Sequence, residues 1–344
     1  MARHGVYRLL LQLLLLLLVA LALGAASTPQ PATAKDLKGD DQRFATPEFW
    51  QEAQALFGDY GGGWWLRGKS NSIRYEGGNW FVQETHHYQL VVLDADKMQE
   101  YADWTVDVGP TSRISDLKAR TIRPTGEVLR LESKNVYEKS RFPGFMLYSD
   151  TKAKVFAMPG FADTCVIDVS YVRTDQALYF QDSFEFSGLL PVRQADYAYQ
   201  VDVGLIGAGF KIYYMSWNVP PTPKYQVLET IMGKFHQWAW QGRDLKAFPE
   251  ERWMPPREEL VPRIIVSGFA PGRPKDDWSA FTDWYSDVLP NFDKPHSDLA
   301  PVAAQLAEGG ASQSEILRRL VAFFGEKVRY VAVDLKNSGL KPHR

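Results

Sequence analysis

The single cysteine, Cys165, is the first residue to weigh as a nucleophile. A reactive thiolate needs a histidine or a helix N-terminus beside it to lower its pKa. The residues around Cys165 instead alternate, with Cys165, Ile167, Val169 and Tyr171 on one side of a strand and Val166, Asp168 and Ser170 on the other. That pattern places the thiol in a core, where it behaves as a small hydrophobe. His86 and His87 are adjacent on a second alternating stretch, so they point to opposite faces and do not chelate one ion together. His86 shares the apolar side with Glu84, two residues away, which suggests a buried polar pair. His236, His296 and His343 stand singly, without metal-ligand spacing. Neither a glycine-rich phosphate loop ahead of a helix nor a serine in a nucleophile elbow is present. The residues therefore assign no catalytic group, no cofactor and no metal.

The remaining candidate is aromatic. Phe235, Trp238, Trp240, Phe248 and Trp253 crowd into one short stretch. Trp238, Trp240 and Trp253 are the candidate ligand-binding residues, because exposed coplanar rings stack on sugars and would make a carbohydrate-binding module. The same composition suits an inter-sheet core, where tryptophan contributes large buried area.

These side chains need elements to hold them. Trp80, Val82, Tyr88, Leu90 and Val92 alternate with Gln83, Thr85, His87 and Gln89, a half-buried strand with the period of two setting in from about Ile73. Arg113–Arg123 and Val128–Leu131 read as strands joined by the turn Pro124-Thr125-Gly126. Val155–Met158, the Cys165 strand, Tyr197–Val203 and Phe210–Trp217 follow at short intervals with no helices between, which indicates antiparallel pairing in a sandwich. Ahead of them, Thr46 and Pro47 are placed to cap and start a helix burying Phe49, Ala53, Leu56 and Phe57, and Gly61-Gly62-Gly63 ends it in a turn. After Pro271-Gly272-Arg273-Pro274 the period becomes helical, first over Trp278–Val288. A second helix starts at the capping box Ser312–Glu315 and carries the stripe Ile316, Leu317, Leu320, Val321 and Phe324, expected to be buried. Val328–Leu335 reads as a strand.

The first 26 residues have the three-part layout of a secretory signal. Basic Arg3 and Arg8 precede the apolar run Leu9–Leu23, and small residues Gly24, Ala25 and Ala26 precede Ser27. The run is short of the roughly 20 residues that span a bilayer, so cleavage after Ala26 and no membrane span in the mature chain are expected. Residues 27–42 read as a flexible linker. With one cysteine no internal disulfide forms, and 45% hydrophobic residues leave the core to hold the fold. A formal charge of -2 offers no basic excess for a nucleic acid.

Four stretches in order resemble a family of exported bacterial proteins in which a β-rich domain of unknown function precedes a transglutaminase-like, papain-type domain. They are the long strand with Arg120–Gly126; Ala157–Gly160 leading into Val166–Tyr171; Phe235–Trp238 with Pro249, Pro255, Pro262 and Ile264–Ser267; and Trp278–Tyr285 with Ser314–Phe324 and Val328–Val331. The family usually has a glutamate where Asp168 stands. The resemblance implies a cysteine acyltransferase or peptidase whose nucleophile follows the position of Pro342-His343, and the sequence stops at Arg344, so no catalytic residue carries over.

The resulting expectation is a mainly β protein. An antiparallel β-sandwich occupies 43–270, and the helical start of an incomplete transglutaminase-like domain occupies 277–344. It is expected to be periplasmic or secreted and non-catalytic, binding or scaffolding a peptide or envelope polymer.

Overall fold

The computed structural model describes residues 39–109, 111–140, 151–176, 180–218, 222–230, 233–271, 299–310 and 312–327, with residues 282 and 286 alone between them. The signal segment 1–26, most of the linker 27–42, nearly all of the helix at Trp278–Val288 and the strand at Val328–Leu335 lie outside the described residues.

Helix α1 (Pro47–Phe57) begins as its sequence dictates. The Thr46 hydroxyl accepts the Phe49 N–H at 3.4 Å, and Pro47 takes the first-turn position where no N–H is needed. Phe49, Ala53 and Phe57 are buried on one side. Gly61, in the left-handed region at φ 75°, turns the chain into β1 (Gly62–Glu76), so the strand starts well before the alternation visible at Ile73. Gly77 and Gly78 both have positive φ and close a two-residue hairpin to β2 (Asn79–Val92).

Twelve further strands follow among the described residues. They are β3 (Asp103–Val108), β4 (Ser112–Ile122), β5 (Val128–Arg130), β6 (Tyr137–Ser140), β7 (Lys152–Ala157), β8 (Cys165–Gln176), β9 (Phe180–Glu185), β10 (Val192–Asp202), β11 (Lys211–Trp217), β12 (Lys224–Thr230), β13 (Gly233–Leu245) and β14 (Arg263–Phe269). Val203 does not extend β10. Asp202 caps the short helix α2 (Val203–Gly207) by accepting the Gly204 N–H. A second short helix, α3 (Arg257–Leu260), precedes β14.

The strands form one eight-stranded sheet, ordered β12-β13-β10-β1-β2-β8-β4-β5, and two three-stranded sheets, β11-β14-β9 and β3-β7-β6. The mainly β architecture with several antiparallel sheets matches the sequence expectation. One pairing among the described strands differs: β1 and β10, neighbours at the middle of the large sheet, run parallel from Trp64↔Val192 to Ile73↔Val201.

Alternation assigns the faces. On the inner face, Ile73, Tyr197, Tyr199, Val201 and Trp240 pack with Phe184, Ile264 and Val266 of the β11-β14-β9 sheet. Further along the same face, Leu90, Val92, Cys165, Ile167 and Val169 pack with Val106 and Phe156 of the β3-β7-β6 sheet. The large sheet thus carries two separate apolar cores on one side, with Trp64 touching both. The outer-face residues Val91 and Val166 pack with Phe49 and Phe57 of α1.

Helices α4 (Leu299–Leu306) and α5 (Gln313–Lys327) come last. Ser312 caps α5 by accepting the Glu315 N–H at 3.3 Å. The stripe expected to be buried is instead open, with Leu317, Val321 and Phe324 each more than half exposed. The described part of the chain places no layer over it.

Candidate functional site

Between the two inner cores lies a belt of charge. The core-facing positions of β1 after Trp64 are Arg67, Lys69 and Asn71, and those of β2 are Glu84, His86 and Tyr88. Strand β8 adds Tyr171, Arg173 and Asp175, and β9 adds Asp182 from the facing sheet. Buried charges cost several kcal/mol each unless paired and hydrogen-bonded, and among the described residues all of these but Arg67 are. Lys69 Nζ lies 2.5 Å from Asp182 Oδ1 and 3.5 Å from Glu84 Oε1. Arg173 donates to Glu84 at 3.0 Å and to Asp175 at 2.9 Å. Asp182 also accepts from the Tyr197 hydroxyl at 2.9 Å and from Asn71.

His86 sits inside this array. Its Nε2 is 2.9 Å from Glu84 and its Nδ1 is 2.9 Å from the Tyr88 hydroxyl, while its ring stacks on Tyr171 at 4.5 Å. Burial pushes the His86 pKa down despite Glu84, so the ring is neutral near pH 7. An ionised carboxylate only accepts, so Nε2 carries the proton and Nδ1 accepts from Tyr88. Burial alone would raise the Glu84 carboxyl. The His86 hydrogen bond and the charges of Lys69 and Arg173 outweigh it and hold the pKa at about 2. A carboxylate so acidic is a poor proton acceptor at neutral pH, so its role is to fix geometry. The expected Glu84–His86 pair is real. Lys69 and Asp182, which complete it, lie on other strands and give no local signal in the sequence.

Where the belt meets Trp64, four rings gather. Trp64 lies 5.9 Å from Tyr88, 5.6 Å from Tyr101 and 6.3 Å from Trp104, all half-buried. Burial and neighbouring Glu100 push the Tyr101 hydroxyl up to about 12. The guanidinium of Arg67 stands over Trp64 at 5.9 Å.

The outer face holds a second array. His87 Nε2 is 2.9 Å from Asp168 Oδ1, and Arg120 donates to Asp168 Oδ2 and to Asp41 Oδ2 at 2.6 Å. Burial works against the Asp168 carboxylate, but His87 and Arg120 hold its pKa below the ordinary value. Ser170 pairs with His87 across the ladder. Among the described residues, however, no hydrogen bond joins its hydroxyl to the ring, so no serine–histidine relay is formed.

Cys165 faces the inner core. It is fully buried, its Sγ–H donates to the Ala162 carbonyl at 3.1 Å, and burial raises its pKa. Both His86 and His87 are committed to carboxylates elsewhere on the sheet.

The three candidate tryptophans are not a platform. Trp240 is 5% exposed and packs against Tyr197 and Tyr214 in the first inner core. Trp238 is half-buried beside Tyr225 and His236. Trp253 is 88% exposed, in the left-handed region at φ 70°, with Arg252 over its ring. Among the described residues no ring contact joins it to the other two. The alternation along β13, which pairs Tyr197 with Trp240, turns that ring inward.

Residues 81–249, just under half of the chain, match a family described as a domain of unknown function with solved structure (DUF3857). The match starts within β2 and ends after β13, and so omits β1, although β2 and β10 both pair with it. The fold is similar to a crystal structure of a "putative protease" from Parabacteroides distasonis, with a TM-score of 0.58 at 12% identity. That likeness covers 82% of this chain and 53% of the other, so the chain spans about half the length of its structural neighbour. The sequence matches no curated protein at a significant level.

Proposed function

We propose that the chain is a non-catalytic binding or scaffolding module of a larger exported protein. In this reading it presents a peptide or envelope polymer to a transglutaminase-like cysteine acyltransferase or peptidase domain that follows it. The observation that carries the reading is the commitment of the reactive side chains. Glu84, His86, Lys69, Arg173 and Asp168 are each bonded to one another or to neighbours, and Cys165 is buried with a raised pKa. Such an array stiffens a surface; turnover needs a group left free to exchange a proton or an acyl chain. Three further facts support a place in a longer protein. The fold likeness spans about half of its neighbour. The family match is to a domain. The stripe of α5 is open and apolar.

The test is an activity screen of the purified chain with amine-donor transamidation and peptide-hydrolysis substrates, wild type beside Cys165→Ala. No Cys165-dependent turnover is the expected outcome. Activity abolished by Cys165→Ala would overturn the reading.

A further inference from the structure

We infer that Arg67, Arg257 and Ser187 form a receptor for a carboxylate carried on an apolar or aromatic body. This rests on the reading of the domain as a binding module and names the ligand chemistry.

Arg67 occupies an inner position of β1, its backbone between Tyr88 and Ala195. Its guanidinium stands over the rings of Trp64 and Phe184 at 5.9 and 5.8 Å. Among the described residues it makes neither a hydrogen bond nor an ion pair. Lys69, the next inner cation on the strand, is bound to Asp182 and Glu84. Burial pulls the Arg67 pKa down, yet a guanidinium stays charged at any ordinary pH.

A second guanidinium converges on the same point. A Cβ built on Gly188 would lie 3.5 Å from both Arg67 Nη1 and Arg257 Nη2, so this glycine leaves open the space where the two meet. Its loop is held in place, with Phe248 N–H donating to the Gly188 carbonyl at 2.7 Å and Trp64 N–H to the Pro191 carbonyl at 2.9 Å. Arg257 donates to the Ser187 carbonyl at 3.2 Å and lies 3.4 Å from Glu185, but among the described residues its buried Nε has no acceptor. The Ser187 hydroxyl, 2% exposed as a residue, has no partner either. Buried donors left unpaired are costly, and two occur here, on Arg257 and Ser187.

Charge selects the ligand. Glu185 lies 3.4 Å from Arg257 and also acts on Arg67, so two guanidinium charges share one carboxylate and one positive charge is left over, which suits a monoanion better than a phosphate dianion. A planar carboxylate accepts two parallel N–H bonds from one guanidinium. The rings of Trp64, Tyr88, Tyr101 and Trp104 suit an apolar body beside it.

An NMR titration of the whole chain, following the Gly188 amide and the Arg67 Nε–H, tests this with N-acetyl-L-phenylalanine, its neutral amide and inorganic phosphate. The acid should shift both signals saturably. The amide, and the acid on Arg67→Gln, should bind at least about tenfold more weakly, the loss of one charged hydrogen-bond pair. The acid should bind Arg193→Gln, at an exposed ion pair, as it binds the wild type. Equal binding of acid and amide, no shift with either, tighter binding of phosphate, or undiminished binding to Arg67→Gln would overturn the assignment. If circular dichroism shows Arg67→Gln unfolded, the acid–amide contrast on wild type decides alone. Carboxylate binding together with Cys165-dependent turnover would keep the site and remove the non-catalytic reading. No carboxylate binding and no turnover would remove the site only.

Discussion

The two faces of β2 carry the same chemistry for different ends. On the inner face, Glu84 and His86 join strands to a facing sheet, through Lys69 to Asp182 on β9. On the outer face, His87 and Gln89 belong to an array that reaches back to the segment before α1, through Arg120 to Asp41 and through Arg43 to Gln89. The inner array sets how the layers sit on one another. The outer array fastens the front of the chain to a sheet already built. Burying charge rarely adds stability over an apolar core, but removing one partner leaves the others uncompensated.

Lys69→Met should destabilise the protein by about 3–5 kcal/mol, because Asp182 and Glu84 lose their shared cation in a water-poor site. Urea unfolding at pH 7 measures it, and a cost under about 1 kcal/mol would show that the belt is well hydrated. On the outer face, Asp168→Asn should cost less, about 1–3 kcal/mol, since Arg120 keeps Asp41 and His87 is partly solvated. The same unfolding series compares the two, and an outer loss larger than the inner one would reverse their roles.

Acid should separate the faces further. His86 has a folded pKa below its unfolded value, so the unfolded chain takes up its proton first, and stability falls as pH drops below about 6.5. Glu84 and Asp168, both depressed, contribute stability that is full above their unfolded pKa and is lost only as pH falls through their folded values, about 2 for Glu84. Urea midpoints between pH 7 and 5 should therefore decline through His86, and Asp168→Asn should leave that slope unchanged. A flat profile would mean that His86 gains its proton equally in both states. The smallest effect is expected at the cap, where Thr46→Ala should cost about 1 kcal/mol through α1. Hydrogen exchange of the Phe49 and Trp50 amides should rise while β1 amides stay protected.

Much of the architecture was legible where one side of a strand is apolar. Strands β2, β8 and β10 announce themselves by alternation, and α1 by Thr46-Pro47. Strand β1 does not, because the inner positions that would carry the pattern are Arg67, Lys69 and Asn71. The feature that makes the strand interesting is the one that hides it. Glu84 and His86 were readable as a pair because they are two residues apart. Asp182, the partner of Lys69, is contributed by a strand of another sheet and gives no local signal. Tryptophan density was equally ambiguous. Trp240 and Trp253 have the same side chain, but the register of β13 on β10 turns Trp240 into the core, while Trp253 lies beyond that strand, exposed at a positive φ.

The parallel pairing at the middle of the large sheet also sets a timetable. Trp64 pairs with Val192 far along the chain, and β10 pairs on its other side with β13. Contacts so distant along the chain repay the entropy of loop closure only late, which slows folding. A nascent chain emerging N-terminus first can form the β1–β2 hairpin early, yet one edge of its longest strand stays unpaired until most of the domain has been made. The topology thus keeps one edge of β1 open until β10 has been made.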